Sequence, residues 1–591
     1  MSRVKEVQAL AEDLERALGD PHDRTSPLSF ARAMALDEAE RYPHELLGFL
    51  MRHGFHAFAV PPEHGGRAVH VEDELMALRL VARRDPTTAM ALAITHVAYL
   101  PLWLAGSQEQ RSRYARAVLD GGMVAWALSE RSHGSDVLAN TTAAERVPGG
   151  YLLTGEKWLI GNATLARTAL VFARTRQEGG PAGYSIFVVD KDTAPAGAVR
   201  ELPRERLHGT RGIDISGVAL QQCFVPEANR LGREGEGLEI ALKSVQPVRV
   251  IINALPLGAA DTALRLTLDF ARRRHLFGTS VSELPHPKAQ LVACFCDLVI
   301  ADAVTAASAR VLQAAPQYAG VWSSVTKYFV PGLLEGTVTR LADVLGSRHY
   351  LRSHPRYSVF QKMMRDLRVA VFAEGNAATN LRNVAAALGG LLAPSTPAAP
   401  HVREAVRERC PRVFDLDADL PPYDPKRHSL YGRGVDYAVL GLPGAADDLL
   451  SIAAGAVGTE ADLWRRCAAV ARRFLGEIDR LRTEHGQLRT VLGRDFGRSA
   501  ELFELAGQYC VVHAAGCLVQ LTVRSWACLT EPFPSGSVLL ACLDRLWRQL
   551  HPTQRVTDRD VVDAAAAALY RLHDDNRLFS LRNVVLAHVP T

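Results

Sequence analysis

The sequence lacks the features that would identify a secreted, metal-binding or membrane-spanning protein. Its nine cysteines include no CxxC pair, and an odd number without such pairs suggests neither a disulfide framework nor a zinc site. No segment offers the roughly 20 uninterrupted apolar residues of a membrane helix, and residues 1–6 contain no apolar signal core. We therefore expect a cytoplasmic protein with reduced thiols, no metal and no membrane span.

Neither the net charge nor the common cofactor-binding and catalytic motifs indicate a function. A formal net charge of +4 over 591 residues is too small and too dispersed to predict nucleic-acid binding. No GxGxxG motif follows a strand pattern, and GxxxxGK[ST], HExxH and GxSxG motifs are absent. The composition, 48% hydrophobic and 22% charged, is ordinary for a globular protein. The length predicts more than one domain, or one domain with large appendages, while composition and periodicity alone do not indicate a cofactor.

The spacing of apolar residues divides the chain into a helical, a strand-rich and a second helical region. Residues 26–122 follow a helical period, with helices expected near 72–84 and 90–104. Short apolar or alternating runs then predict β-strands at Tyr151–Thr154, Ala169–Ala173, Tyr184–Val189 and Ile215–Cys223. The helical period returns from Leu238. This order differs from the alternation of strands and helices that builds a parallel sheet.

Proline marks the end of the second helical region. Prolines cluster in residues 390–435, which predicts an irregular linker, and helical periodicity resumes from about residue 445. The predicted fold is mostly α with a central β-domain. The predicted domains are an N-terminal helical domain (1–122), the β-domain (123–235), a helical bundle (236–389), and a linker with a C-terminal helical domain (390–591).

Four local motifs, in order along the chain, resemble those of the acyl-CoA dehydrogenase family. The first is Gly-Ser-Gln-Glu-Gln at residues 106–110, then Ala-Trp-Ala-Leu-Ser-Glu at 125–130, followed by Gly-Ser-Asp at 134–136. The second runs from Gly155 to Asn162, and the third is Phe-Ala-Arg-Arg-Arg-His-Leu-Phe-Gly at 270–278. The fourth extends from Arg365 to Gly375 and contains Glu374. The resemblance covers roughly residues 20–390 and implies a helical domain, a β-barrel-like domain and a helical bundle.

The resemblance also implies a cofactor, a reaction and a set of site residues. The cofactor would be FAD, and the reaction α,β-dehydrogenation of an acyl thioester carried by CoA or by an acyl carrier protein. Glu374 would take the α-proton while hydride leaves for flavin N5, with the thioester carbonyl polarised by the Glu374 N–H and a ribityl hydroxyl. The implied FAD-binding residues are Ser129, Gly134, Ser135, Leu159, Gly161, Arg274, Phe277 and Gly346. The implied substrate-binding residues are Ser135, Arg249 and Gly375.

Two arginines have an alternative interpretation from their helical setting. Arg274 follows two other arginines at the end of a predicted helix, where cations are favourable without any ligand. The family resemblance instead implies that it reaches the FAD diphosphate of a neighbouring subunit, a role that suits a guanidinium. Arg249 is either a solvated helix residue or the family's arginine beside the catalytic carboxylate.

Departures from the family pattern leave the reaction open. Leu159 and Gly161 stand where the family usually has an aromatic residue and a Thr or Ser that bonds flavin N5, and Asn376 replaces the Thr after Glu-Gly. A flavin oxidase or monooxygenase, or a non-catalytic member, therefore remains an alternative. The C-terminal helices resemble those of long family members, which implies a homodimer; an electron-transfer flavoprotein is the implied electron acceptor.

Overall fold

The computed structural model describes residues 2–393, 400–430 and 434–588. Its first part is helical, and it begins with an amphipathic helix whose apolar face is buried. Asp85 caps the long, apolar fifth helix by accepting from the N–H groups of Thr87 and Thr88. The six helices are α1 (Arg3–Leu18), α2 (Phe30–Glu38), α3 (His44–Arg52), α4 (Val71–Ala82), α5 (Pro86–Ala105) and α6 (Gln108–Leu119).

The central part is an eight-stranded mixed sheet. Its strands are β1 (Val124–Ala127), β2 (Ala143–Val147), β3 (Gly150–Gly161), β4 (Thr168–Arg174), β5 (Tyr184–Asp190), β6 (Val199–Leu202), β7 (Ile215–Pro226) and β8 (Arg230–Leu231). The sheet order is β6-β7-β3-β2-β4-β5-β8, and β1 pairs with β4 in parallel. The long strands β3 and β7 pair antiparallel, and their register shifts between Trp158 and Ile160. Such a shift bends the strand and re-aims its side chains.

Seven helices and a small hairpin form the following bundle. The helices are α7 (Gly237–Ile251), α8 (Ala254–Arg273), α9 (Pro285–Ala314), α10 (Ala319–Leu345), α11 (Ser358–Asp366), α12 (Val369–Phe372) and α13 (Ala377–Leu391). Strands β9 (His275–Leu276) and β10 (Thr279–Ser280) pair antiparallel between α8 and α9. The bundle packs one continuous apolar core around the buried faces of α8, α9 and α10. The predicted fold class, mostly α with a central β-domain, is confirmed.

The C-terminal region is also helical, and its beginning differs from the prediction. Residues 400–414, inside the expected irregular linker, form a helix despite Pro411 within it; residues 394–399 of that linker lie outside the described residues. The helices are α14 (Pro400–Phe414), α15 (Tyr437–Leu440), α16 (Leu442–Gly455), α17 (Gly458–Leu492), α18 (Ala500–Arg524), α19 (Gly536–Leu550) and α20 (Arg559–Asp574). Their apolar faces join the core of the bundle.

The tail after α20 returns to the N-terminal helices. The N–H of Ala587 donates to Glu15 at 2.9 Å, and the N–H of Phe579 donates to Asp261 at 2.9 Å. Arg582 pairs with the buried carboxylate of Glu72. The tail therefore supplies hydrogen bonds to buried carboxylates that would otherwise be costly to keep charged.

One sequence prediction, that no segment is apolar enough to span a membrane, was wrong. Four helical stretches among the described residues are long and apolar enough by length and composition: Pro86–Ala105, Gly237–Arg273, Pro285–Ala314 and Ala500–Arg524. Their most apolar windows are 78–94% buried inside the protein. A helix surrounded by other helices is apolar on all sides, which explains the composition of these four.

Candidate active site

Glu374 occupies a left-handed turn between α12 and α13. Its φ is 57°, and that of Gly375 is 98°. Positive φ is unusual for a glutamate and tends to persist where surrounding contacts hold it, often at functional sites. The Asn380 amide donates to the Gly375 carbonyl at 2.9 Å, and Asn376 caps α13 by accepting from the N–H of Thr379 at 2.8 Å. Asn376, a departure from the family pattern, therefore has a clear structural role.

Two buried cations lie near the Glu374 carboxylate. Arg249 projects from α7, and one of its terminal nitrogens would stand 3.8 Å from a Cβ added at Gly375. It donates weakly to the Ser324 hydroxyl at 3.4 Å, while its Nε has no partner among the described residues. Lys327 projects from α10 and is 1% exposed. The solvated-helix interpretation of Arg249 is thus excluded by its burial.

Burial and these two cations have opposite effects on the charge of Glu374. Desolvation raises the pKa of Glu374 above its ordinary value, and the nearby charges of Lys327 and Arg249 reduce that rise without cancelling it. Burial in turn lowers the pKa of Lys327 to about 7 and that of Arg249 to about 10, against the opposing effect of Glu374. Among the described residues no side chain forms an ion pair or hydrogen bond with the Glu374 carboxylate.

The Arg365–Asp366 pair at the start of the fourth motif joins three regions of the fold. Arg365 binds Asp37 of α2 at 2.6 Å and the carbonyl of His208 at 3.0 Å. Asp366 is fully buried and accepts from the N–H of Thr210 at 2.7 Å. These contacts hold the segment that leads to Glu374 against the N-terminal helices and the β-domain.

The strand bulge in β3 exposes an apolar side chain. Leu159 has φ 57° and is 45% exposed. The neighbouring Trp158 points elsewhere, because its ring nitrogen donates to Glu205 at 2.7 Å and Arg131 stacks over its ring at 4.4 Å. The Trp158 ring, one position before the site where the family usually has an aromatic residue, is therefore held by these other contacts.

Gly161 lies against α5 with no room for a side chain. A Cβ at this position would stand 2.9 Å from two carbon atoms of Ile94, which is closer than real Cβ contacts come. Ile94 on the facing helix thus fills the space that the side chain of a Thr or Ser at position 161 would need. The two positions are in contact, although they lie 67 positions apart in the sequence.

Residues 125–136 of the first motif form the end of β1 and the loop after it. The Ser129 hydroxyl donates to the Trp158 carbonyl at 2.9 Å, which ties this loop to the bulge. Gly134 and Ser135 are exposed, and a Cβ at Gly134 would meet nothing within 4 Å. Beneath them Lys157 pairs with Glu130 at 2.9 Å. The loop is anchored at its base and open at its tip.

The third motif ends in a hairpin that extends from the bundle. The helix α8 ends at Arg273, so Arg274 is not helical but extended, with its carbonyl accepting from Val281. Phe277 and Gly278 both have positive φ, as a tight two-residue hairpin turn requires. Phe277 is 92% exposed. Arg274 is exposed as well, and no described side chain pairs with it.

Gly346 is the residue that follows α10. It ends α10 with φ 64°, a conformation that favours glycine. Its carbonyl lies 2.7 Å from Nδ1 of His349. Nothing would contact a Cβ at this position, so the surface beside it is open.

These residues fit an FAD molecule in most respects. A flavin ring needs an open apolar surface, which Leu159 and the 62% exposed Phe372 can offer. A diphosphate needs an uncommitted cation, which Arg274 can offer. The side-chain hydroxyl expected near flavin N5 has no counterpart at Gly161. The individual roles of the predicted site residues stay predictions.

Sequence reasoning missed two residues of this site. Lys327 is the one charged residue in the run from Gly320 to Leu334, which reads GVWSSVTKYFVPGLL. An isolated lysine in an apolar helix is rarely buried without a reason, so that signal was present. Ile94 gave no signal, because it lies in a long apolar helix and its importance depends on the glycine opposite.

Helical and β-domains in this order, with a carboxylate on a left-handed turn, are the arrangement of an FAD-dependent oxidoreductase. The chain belongs to the acyl-CoA dehydrogenase family. Models of the family's N-terminal, middle and C-terminal domains match residues 29–122, 125–223 and 235–389. The predictions of the family and of FAD are confirmed. The family reaction is dehydrogenation of an acyl thioester.

Individual relatives agree with this assignment. An acyl-CoA dehydrogenase of Bacillus subtilis is 29% identical over 353 residues, covering 58% of this chain and 89% of that protein. Benzylmalonyl-CoA dehydrogenase of Aromatoleum aromaticum is 30% identical over 374 residues, covering 61% and 94%. The matched family domains end at residue 389, so the C-terminal helices lie beyond them.

Solved structures show the same fold. Butyryl-CoA dehydrogenase of Megasphaera elsdenii superposes with a TM-score of 0.59 at 22% identity, covering 66% of this chain and 98% of that one. The prolyl acyl carrier protein oxidase AnaB superposes with a TM-score of 0.59 at 21% identity, covering 65% and 99%. At these identities the likeness concerns the fold.

Proposed function

We propose that this protein dehydrogenates an acyl thioester at the α,β-bond with Glu374 as the base that removes the α-proton. The observation that carries the proposal is the left-handed turn at Glu374, which keeps a carboxylate uncommitted beside two buried cations. A general base works best when its pKa approaches the working pH. Burial moves the pKa of Glu374 in that direction.

Other residues of the chain would hold the substrate. The N–H of Glu374 is available to a thioester carbonyl, and Gly375 leaves room for close approach of the substrate because it has no side chain. Arg249 favours the ionised carboxylate, since its positive charge opposes the rise that burial causes in the pKa of Glu374. Bound FAD would supply the hydride acceptor at N5, held by Leu159, the 129–135 loop and Arg274 of a second subunit.

The substitution Glu374→Gln tests the proposal. It keeps the shape of the side chain and removes the base, so we expect bleaching of the flavin by acyl-CoA without oxygen to slow by about 10²–10⁴-fold. The control is Glu501→Gln, an exposed carboxylate in the first turn of α18. The measurement is single-turnover absorbance of the bound flavin with butyryl-, octanoyl- and palmitoyl-CoA.

Three outcomes would contradict the proposal. Bleaching by Glu374→Gln at the wild-type rate would exclude Glu374 as the base. Failure of the flavin-loaded wild-type protein with every CoA and acyl carrier protein thioester tried would favour a non-catalytic family member. Equal bleaching by both variants would indicate a general effect of losing a carboxylate.

A flavin oxidase is the second candidate function, and Gly161 favours it. A flavin without a side-chain hydroxyl beside N5 has one fewer group to control its reaction with oxygen. Stoichiometric peroxide from the reduced enzyme in air would identify an oxidase, and an oxygenated product a monooxygenase. Slow reaction with oxygen and fast reaction with an electron-transfer flavoprotein would identify a dehydrogenase.

We also propose a homodimer in the cytoplasm. The exposed hairpin with Arg274 and Phe277 offers an apolar and cationic surface for a second subunit. All nine cysteines are free thiols in the structure, and eight are buried, which is compatible with a reducing compartment. Light scattering and cell fractionation would test the two statements.

A further inference from the structure

Lys327 raises a question that the proposed function does not answer. Its ammonium is buried in α10, and among the described residues no carboxylate lies within ion-pairing distance of it. An ammonium in such surroundings is expensive to keep. Within the described part of the chain, the one hydrogen bond of this ammonium runs to the carbonyl of Ala370, which lies in the short helix α12, four residues before Glu374.

The Ala370 carbonyl has a natural partner that it does not use. In a continuing α-helix this carbonyl would accept from the N–H of the residue four positions later, which is Glu374. One residue earlier the pattern is intact, because the N–H of Ala373 donates to the carbonyl of Val369 at 3.0 Å. The ladder then stops, and among the described residues no oxygen accepts from the N–H of Glu374.

We infer that Lys327 is a positioning residue that takes the place of the Glu374 N–H on the Ala370 carbonyl. By satisfying that carbonyl, the ammonium ends α12 at Phe372 and lets the chain turn left-handed at Glu374. The N–H of Glu374 thereby stays free to bind a thioester carbonyl, and its side chain stays free to take the proton. This inference rests on the proposed function of Glu374.

The location of the ammonium also suits the end of a helix. The last carbonyls of a helix lack partners and carry partial negative charge, so a cation there is stabilising. Because the same cation is near Glu374, it influences the base as well as the backbone. The charged groups that face Lys327 are Glu374, on the turn after α12, and Arg249, on α7.

The experiment compares Lys327→Met, Lys327→Arg and the control Lys288→Met in the flavin-loaded protein. Lys288 lies at the start of α9 in surface ion pairs with Glu283 and Asp563. Two quantities are measured per bound flavin: the kcat and KM for butyryl-, octanoyl- and palmitoyl-CoA, and the incorporation of solvent deuterium at Cα of the thioester by NMR. Glu374→Gln is measured alongside.

We expect Lys327→Met to lower kcat and deuterium incorporation at least tenfold, with KM changed less than threefold. The acid limb of its pH profile should move to higher pH, because Lys327 lowers the pKa of the base and its loss raises it. Lys327→Arg, which keeps a cationic donor, should recover most of the rate and the wild-type limb. Lys288→Met should match the wild type.

The outcomes separate this inference from the proposed function. If Glu374→Gln retains deuterium incorporation, the proposed function fails and the role of Lys327 fails with it. If Glu374→Gln loses it but Lys327→Met stays within twofold of the wild type per bound flavin, only the role of Lys327 is refuted. Should Lys327→Met not fold, Lys327→Gln gives the same comparison, and a wild-type rate in that variant overturns the inference.

Discussion

The contact between Gly161 and Ile94 predicts a specific coupling between two positions. In Gly161→Thr the new Cβ would stand 2.9 Å from Cδ1 and Cγ2 of Ile94 and 3.0 Å from its Cγ1. Overpacking of this kind typically costs about 1–3 kcal/mol. Ile94 is buried, so Ile94→Ala alone should cost about 2–4 kcal/mol through the cavity it leaves.

The double variant Ile94→Ala/Gly161→Thr should be less destabilised than the sum of the two. The threonine fills part of the space that the isoleucine leaves, and the clash disappears with the isoleucine. We expect a coupling free energy of about 1–3 kcal/mol in favour of the pair, within the range measured for contacting residues. Gly476→Thr is the matched control, because a Cβ at that helix position meets nothing within 4 Å.

Urea unfolding, followed by tryptophan fluorescence and by release of bound FAD, gives the four free energies of the cycle. Additivity within about 0.5 kcal/mol would refute the steric reasoning. A second measurement concerns oxygen: the double variant restores a hydroxyl to β3, so its reduced flavin should react with oxygen at a rate different from that of the wild type. Identical rates would show that position 161 does not reach the flavin.

Two further predictions concern buried charges. Arg582→Ala removes a cation from the buried Glu72 carboxylate and should lower the free energy of unfolding by about 3 kcal/mol, whereas the exposed control Arg559→Ala should lower it by less than about 0.5 kcal/mol. Desolvation raises the pKa of Glu72, but the neighbouring arginines outweigh it and hold that pKa below its ordinary value, so the stability that the ion pair contributes should be lost only in acid. Equal melting temperatures of the two variants would contradict this prediction. Burial opposes a charge on His513, but Asp436 at 2.7 Å raises the pKa of His513 to about 10. The free energy of unfolding should therefore fall as the pH rises from about 6.5 toward 10. Asp436→Asn should make it less dependent on pH, as measured by urea titrations at pH 6 and pH 9.

The family resemblance singled out Glu374 and Arg274 from short motifs, but the left-handed turn at Glu374 and the hairpin after Arg274 were not predicted. Glycine after each marks a place where the backbone takes positive φ: Gly375 and Gly278 both do. The strands with strong apolar runs were predicted near their observed positions, whereas the short strands β2, β6 and β8 were missed. A strand of this length carries too little periodicity to identify it.

Long-range pairings could not be read from the sequence. Arg582 binds Glu72 across 510 positions, and Ile94 meets Gly161 only because α5 packs against the sheet. The membrane-helix prediction failed for a related reason, since the composition of a helix reports how much of it is buried but not what surrounds it. The helix at residues 400–414 formed because tertiary packing overrides the preference of proline for irregular structure.

The C-terminal helices limit how copies of this chain can associate. Helices α18 and α19 share one apolar core with α9 and α10 of the bundle, and Arg545 of α19 binds Asp297 of α9 at 2.8 Å. Those bundle faces are therefore covered by the chain itself and are closed to a second copy. The hairpin from Arg274 to Ser280 stays uncovered, with Phe277 almost fully exposed. A second subunit that binds at this hairpin would bury Phe277 and would place Arg274 of the first subunit beside the flavin of the second. Dimer formation and FAD binding should therefore depend on the same surface.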